Sequence, residues 1–434
     1  MQYDNLFLLG GTRASAYLER YNMLKAQFNL QGEFLAFDSH PEWLACYDRD
    51  SQSLHARLPM LVFRPHSIDA ISPFVKTCFE LEIPIKARCG GTSYTAASIA
   101  GPGGIILLTG HLKKIADYQR ETGRLVVEPG ATPQQINDLV SKDGWEIPLE
   151  MAVSGTAGLA GCLNANAKGY HQRSRSIYAL VESIDLIDGQ GGLVKVPPQL
   201  VCGMEGLLGI ITRIELKLIK KAQEKFLAVC QLSRSKFLSI LPSLRTYQAI
   251  KGIIWQNQQL TFFLEGEPWR IASVLNALPE LRSSKATDHF FYPQRMEGRS
   301  LLSALSSACL VKDVLNGMER GEELAKRVGL ICQGWGDIWG GAVNFNLSSN
   351  DEASIFSQKM EHFLLLWIEW LETVDGYLLS SHGIGKLLAP YLPPFFNEEE
   401  IRCLKRIQKS FDPRSLFLKD HFFPLEGKSV HKVC

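Results

Sequence analysis

Four short segments hold residue types that could do chemistry together. Two of them are Arg88-Cys89-Gly90-Gly91-Thr92-Ser93 and Gly203-Met204-Glu205-Gly206-Leu207-Leu208-Gly209-Ile210-Ile211-Thr212. Paired glycines between a cation and two hydroxyls let the backbone reach positive φ, so successive N–H groups can converge on an anion. That arrangement suits a diphosphate. A third segment, from Ser154 to Asn166, is rich in small residues, with Thr156, Gly158 and Asn164 among them. Small side chains there permit a planar ligand to approach the backbone. The fourth is His382-Gly383-Ile384-Gly385-Lys386. An imidazole beside glycines can take a proton from a substrate hydroxyl or donate to its oxygen. A purely structural turn histidine is the competing reading.

The elements that must position these segments follow from periodicity. Residues 1–55 read as a helical arm. Leu6 to Arg13 mimics a strand entering a dinucleotide turn but lacks the third glycine and a later acidic partner. From Leu61 the chain alternates strand and helix. Leu61–Pro65 is a strand, and Ser67 is expected to cap a helix reaching about Glu80. Ile83–Ala87, Ile105–Leu108 and Arg124–Val127 are strands, the last running into Pro129 and Gly130. Thr132 with Pro133 opens a further helix. Val181–Gly189 alternates like an edge strand and ends in a turn. After Lys221 the pattern turns to antiparallel strands, at 226–230, 259–266 and 341–347. Helices are expected near 234–248, 268–278, 299–328 and 351–373, and from Glu398 to Phe411.

Composition narrows the class. The chain has 434 residues, a net charge of +1 and ten cysteines without C-x-x-C spacing. Neither nucleic acid nor a zinc site is indicated. No apolar window approaches a membrane span, because Glu361, Glu369 and Glu372 interrupt Phe363–Ile368. A cytoplasmic protein with reduced thiols is the expectation, with peripheral membrane contact and a homodimer left open.

The glycine loop and the Gly203–Thr212 strand resemble the FAD-binding domain of the vanillyl-alcohol oxidase/PCMH superfamily, in its glycolate oxidase and D-lactate dehydrogenase branch. That branch carries Arg-Gly-Gly-Gly-Thr and Gly-Ser-Glu-Gly-Thr-Leu-Gly-Ile-Ile-Thr, and only Met204 and Leu207 depart from the second motif. The resemblance implies an α+β fold. A PCMH-type FAD-binding domain of two subdomains would span 56–222, a cap with an antiparallel sheet 223–390, and 391–434 would return to the first domain. It implies cofactor contacts from Arg88, Cys89, Gly90, Gly91, Thr92, Ser93, Pro129, Gly130, Ser154, Thr156, Gly158, Asn164, Glu205, Gly206, Gly209, Ile210 and Ile211. Thr92 stands where some relatives carry a flavin-linking histidine, and the position near Val153 and Ser154 lacks the second linking cysteine. Non-covalent FAD is expected.

The resemblance also places His382, Lys386 and Asn344 at the reaction centre. Many relatives hold a divalent metal through two histidines and a glutamate; here Trp335, Asn344 and Ser381 stand in those places, so no metal is expected. The implied activity is oxidation of a 2-hydroxy acid or related alcohol by hydride transfer to flavin N5, with oxygen, quinone or a partner protein as acceptor. Two other resemblances stay open. The Ser380–Lys386 run, with Arg295 and Arg299 nearby, is similar to redox-neutral alkyl-glycerone-phosphate synthases. Tyr170, His171 and the Asp412–Phe417 segment are similar to sugar and aldonolactone oxidases. A degenerate binding protein is the non-enzymatic alternative.

Overall fold

The computed structural model describes residues 11–36, 41–52, 56–149, 151, 153–169, 177–285, 301–378 and 382–417. Helix α1 (Gly11–Phe28) leads into β1 (Gly32–Ala36), which pairs antiparallel with β2 (Leu61–Pro65). The N-terminal arm is therefore more than helical: it supplies the edge of a four-stranded sheet. Its aromatic residues explain why. Phe28 packs on Phe63 and Phe74, and Phe34 stacks on Phe63 with centroids 4.6 Å apart. With β3 (Ile85–Arg88) and β4 (Ile105–Leu108) the order is β1-β2-β4-β3, the last three strands parallel. Their near-continuous apolar runs fit a sheet covered on both faces. Helix α2 (Ile71–Glu80) packs against this sheet. Ser67 precedes a 3₁₀ turn and makes no side-chain cap bond.

The second sheet is antiparallel. Its strands are β5 (Ile115–Gln119), β6 (Arg124–Val127), β8 (Val181–Ile187), β9 (Leu193–Val196) and β10 (Ile210–Lys217), ordered β5-β6-β10-β8-β9; the two-residue β7 (Trp145–Glu146) pairs with β11 (Ile219–Lys220). One expectation changes here: Val181–Ile187 lies inside the sheet rather than at its edge, and the short segment that follows forms β9 beside it. Asp188 closes the hairpin compactly by accepting the N–H groups of Gln190 and Gly192, a local turn device that needs few residues. A single-turn helix, Pro198–Val201, follows. Helix α3 (Pro133–Val140) begins as its sequence indicates, with the Thr132 hydroxyl accepting the Gln135 N–H at 3.2 Å. The short α4 (Leu159–Asn164) carries the small-residue segment.

The C-terminal half contains a seven-stranded antiparallel sheet. It comprises β12 (Glu224–Gln231), β13 (Ile250–Gln256), β14 (Gln259–Gly266), β15 (Arg282–Lys285), β16 (Leu301–Ala308), β17 (Ile331–Asp337) and β18 (Ala342–Ser349), ordered β15-β12-β14-β13-β17-β18-β16. The expectation of one helix over 299–328 fails in its first third. Leu301–Ala308 is an edge strand in continuous register with β18, and only Val314–Arg327 is helical (labelled α7 below). The run Leu-Leu-Ser-Ala-Leu-Ser-Ser-Ala has weak preference for either state, so ladder pairing decides it. Helices α5 (Arg234–Leu244), α6 (Pro268–Ala277), α7 (Val314–Arg327) and α8 (Ala353–Thr373) complete this half. Val343, Phe345 and Leu347 join the largest core with Phe363 and Trp367. Alternation turns Asn344 and Asn346 to the opposite face of β18.

Helix α9 (Glu398–Phe411) starts at an Asn397 capping box. Beyond it, buried Asp412 accepts the N–H groups of Leu416 and Phe417 at 2.8 and 2.9 Å. The Leu416 carbonyl in turn accepts the Ile85 N–H at 2.9 Å, tying the segment to the start of β3. Among the described residues, no helix is long and apolar enough to cross a membrane.

Candidate active site

A cavity of about 580 Å³ lies where the end of β3, α4, the Glu205–Ile211 segment and the seven-stranded sheet converge. Residues 88–93 form one wall. Gly91 has φ +66°, and a Cβ at Gly90 would come 2.2 Å from the Thr156 carbonyl oxygen, so the loop can close only with glycine there. The side chains flanking these glycines are already engaged. Arg88 donates to the Arg49 carbonyl at 2.9 Å and lies 5.6 Å from the Tyr47 ring centroid. The Ser93 hydroxyl accepts the N–H groups of Thr95 and Ala97. What the loop has left to offer a ligand is chiefly its backbone N–H groups, as its glycine content suggests.

Four residues expected at the cofactor stand behind the wall rather than on it. The Pro129 carbonyl accepts the Ala160 N–H at 3.1 Å, and the Gly130 N–H donates to Leu112. Ser154 closes its own turn through Met151, and the Thr156 carbonyl backs Gly90. These residues shape the loop without lining the cavity. Gly158 and Asn164 do line it, as do Glu205, Gly206, Gly209, Ile210 and Ile211. Asn164 ties the third segment to the second: its carbonyl accepts the Glu205 N–H, and its side-chain oxygen accepts the Gly206 N–H at 3.1 Å.

The three catalytic candidates separate. His382 lines the cavity, its ring centroid 5.6 Å from that of Tyr94, and its Nδ1 is buried without a hydrogen-bond partner among the described residues. Burial pushes its imidazole down to about 4, because desolvation disfavours the charged form. Lys386 instead donates to the Ala100 carbonyl at 2.9 Å and does not line the cavity. Asn344 is buried, also outside the lining; its β17 register partner Trp335 and its neighbour Asn346 form the cavity wall with Ala304. Ser381, Tyr170, His171, Arg295 and Arg299 lie outside the described residues. Among those described, no group of three or more His, Cys, Asp or Glu is placed to hold a metal ion.

Sequence reasoning missed Lys86, Tyr94 and Asn346, all of which line the cavity. Lys86 had a signal: a cation inside the apolar run Ile83–Ala87. Burial lowers it to about 8, opposed by the carboxylates of Glu205 and Asp50. Asn346 lies two residues beyond Asn344 and so shares its face.

The cavity fits an extended dinucleotide. Its size falls in the range of roughly 300–1,000 Å³ typical of cofactor sites. At Gly161 a Cβ would project into open space, and at Gly206 it would meet only one atom, at 4.0 Å. The glycine loop offers backbone N–H groups of the kind a diphosphate needs, and His382, whose Nδ1 is buried without a partner among the described residues, lines the same cavity.

Comparison with known proteins agrees. Residues 59–197 match the family described as FAD binding domain, and residues 305–418 match FAD linked oxidases, C-terminal domain. The chain is 22% identical to a mitochondrial D-lactate dehydrogenase [cytochrome] of Arabidopsis thaliana, over 87% of this chain and 76% of that protein. It is 20% identical to the glycolate oxidase subunit GlcD of Bacillus subtilis, covering 90% and 95% of the two chains. Among solved structures, p-cresol methylhydroxylase with bound substrate superposes with a TM-score of 0.76 at 14% identity, over 95% and 98%. An alkyldihydroxyacetonephosphate synthase does so at 0.69 and 13%, over 92% and 84%.

Proposed function

Because the chain is an FAD-linked oxidase/dehydrogenase of the PCMH-type flavoprotein superfamily, we propose that it oxidises a small 2-hydroxy acid, with FAD bound non-covalently. Bound in the cavity, FAD would supply the hydride acceptor. The observation that carries the reading is His382, neutral at physiological pH and lining the same cavity as the glycine loop, Trp335 and Asn346. A neutral imidazole can take the hydroxyl proton as the C–H bond breaks. An imidazole held near 4 is a weak base beside a neutral alcohol, but a substrate carboxylate next to it raises its proton affinity. That favours an acid over a sugar.

Lys168, which lines the same cavity and whose charge also reaches the buried Asp337, is suited to hold the carboxylate. Tyr94 packs beside the ring of His382 at the same cavity. Non-covalent attachment is supported by the thiols near the loop. Burial raises both Cys89 and Cys162, the latter to about 12, which makes them poor nucleophiles.

The test is anaerobic bleaching of the flavin absorbance by D-lactate, glycolate and D-2-hydroxyglutarate, with a sugar panel alongside. Bleaching by one of the acids is expected. Bleaching by sugars alone, or by nothing, would overturn the reading. Acid precipitation should leave the yellow colour in the supernatant.

A further inference from the structure

Glu205 lies at the turn before β10, with φ +50°, in the left-handed region that non-glycine residues seldom occupy. It is 8% exposed. A carboxylate buried in a strained turn needs a compensating partner. The partners come from the far end of the chain: Glu205 Oε1 accepts the N–H of Ile384, and Oε2 accepts that of Gly385 at 2.7 Å. Both oxygens thus serve the turn that carries His382. Gly383, between His382 and the first donor, sits at φ +79°, and a Cβ there would come 2.1 Å from Glu205 Oε1. The charges of Lys86 and Asp50, one positive and one negative, act on it in opposite directions.

We propose that Glu205 is a positioning residue whose carboxylate, by accepting two consecutive backbone N–H groups, fixes the His382 turn against the cavity. The proposal rests on the reading that His382 serves the reaction, and it differs from a cofactor-holding role for Glu205. A glutamine at 205 preserves size but offers one acceptor oxygen, so one donor, Ile384 or Gly385, would face an NH₂ group instead. The ring of His382 then loses its placement while the glycine cradle is untouched.

The experiment compares the Glu205→Gln holoenzyme with wild type in three measurements. Flavin content should stay stoichiometric. With the acid that bleaches the wild-type flavin, kcat should fall about a hundredfold with little change in KM, the loss expected when a reacting group is misplaced by about an ångström. In protein labelled with ¹⁵N-histidine, the His382 resonance, assigned by its disappearance in His382→Gln, should titrate at higher pH, back toward the ordinary histidine range. The third measurement needs no substrate, so it stands even if no hydroxy acid is oxidised. Unchanged kcat with an unchanged His382 titration would overturn the proposal. Loss of flavin with an unchanged titration would do so too, and would make Glu205 a cofactor ligand. Should Glu205→Gln fail to fold, Gly383→Ala approaches the same contact from the other side. It should keep FAD and lose turnover; full turnover in that variant refutes the proposal.

Discussion

Trp335 on β17 and Asn344 on β18 are register partners in the antiparallel ladder, so their side chains leave the same face of the sheet. These are the two positions at which related dehydrogenases are expected to carry metal-binding histidines. Partners opposed in this way have Cβ atoms about 4.5–5.5 Å apart, close enough for one ion. The double variant Trp335→His/Asn344→His should therefore bind Zn²⁺ at micromolar order or tighter by calorimetry, while wild type shows no such isotherm. Absence of binding in a folded double variant would show that the pair does not occupy the relatives' ligand positions.

The glycine loop should tolerate no side chain at its second residue. Gly90→Ala places a Cβ 2.2 Å from the Thr156 carbonyl oxygen, a backbone atom with little room to retreat. FAD affinity should drop at least tenfold, about 1.4 kcal/mol, in a flavin-fluorescence titration. An unchanged titration would mean that the loop does not carry the diphosphate.

His382 makes stability depend on pH in a defined direction. Its folded value, about 4, lies below the ordinary 6.5, so the unfolded chain binds the proton first. Its contribution is complete above 6.5 and is lost as pH falls from there toward 4. Thermal unfolding should show wild type losing more Tm than His382→Gln across that window. Parallel curves would show that the ring is not desolvated.

Asp337 behaves in the opposite sense. Burial raises it from 3.8 to about 7, with Lys168 and the N–H groups of Gly340 and Trp339 pulling it back. The unfolded chain releases this proton first, so the contribution is present below 3.8 and lost as pH rises toward 7. Asn can keep the acceptor for Gly340 and never ionises. Asp337→Asn should gain roughly 1–3 kcal/mol over wild type at pH 8 and nothing at pH 4, in urea melts at both pH values.

Much of the fold was legible because local chemistry and final structure agree. Thr132 with Pro133 announced a helix start that the Gln135 contact realises, and the paired glycines at 90 and 91 announced a close approach that Thr156 enforces. Leu301–Ala308 was misread because its Leu, Ser and Ala residues suit either state and the deciding partner, β18, lies some forty residues away. The site divides the same way. Its cradle is built from contiguous motifs, whereas Lys86, Tyr94 and Asn346 belong to it through packing of distant strands. The Glu205 contact with Ile384 and Gly385 spans nearly half the chain, and no spacing rule can foretell such a meeting. Lys386 illustrates the converse. A cation beside a promising histidine turned out to donate to the Ala100 carbonyl.

The bond between the Ile85 N–H and the Leu416 carbonyl has a consequence for how the protein is made. The strand that launches the glycine loop is bordered by residues synthesised more than three hundred positions later. Before those residues are made, β3 can pair with β4, but the border supplied by Leu416 and the cavity wall supplied by Phe417 do not yet exist. A finished cradle thus requires the chain to have been made through Phe417, and a nascent chain stalled before residue 416 would hold dinucleotide only loosely.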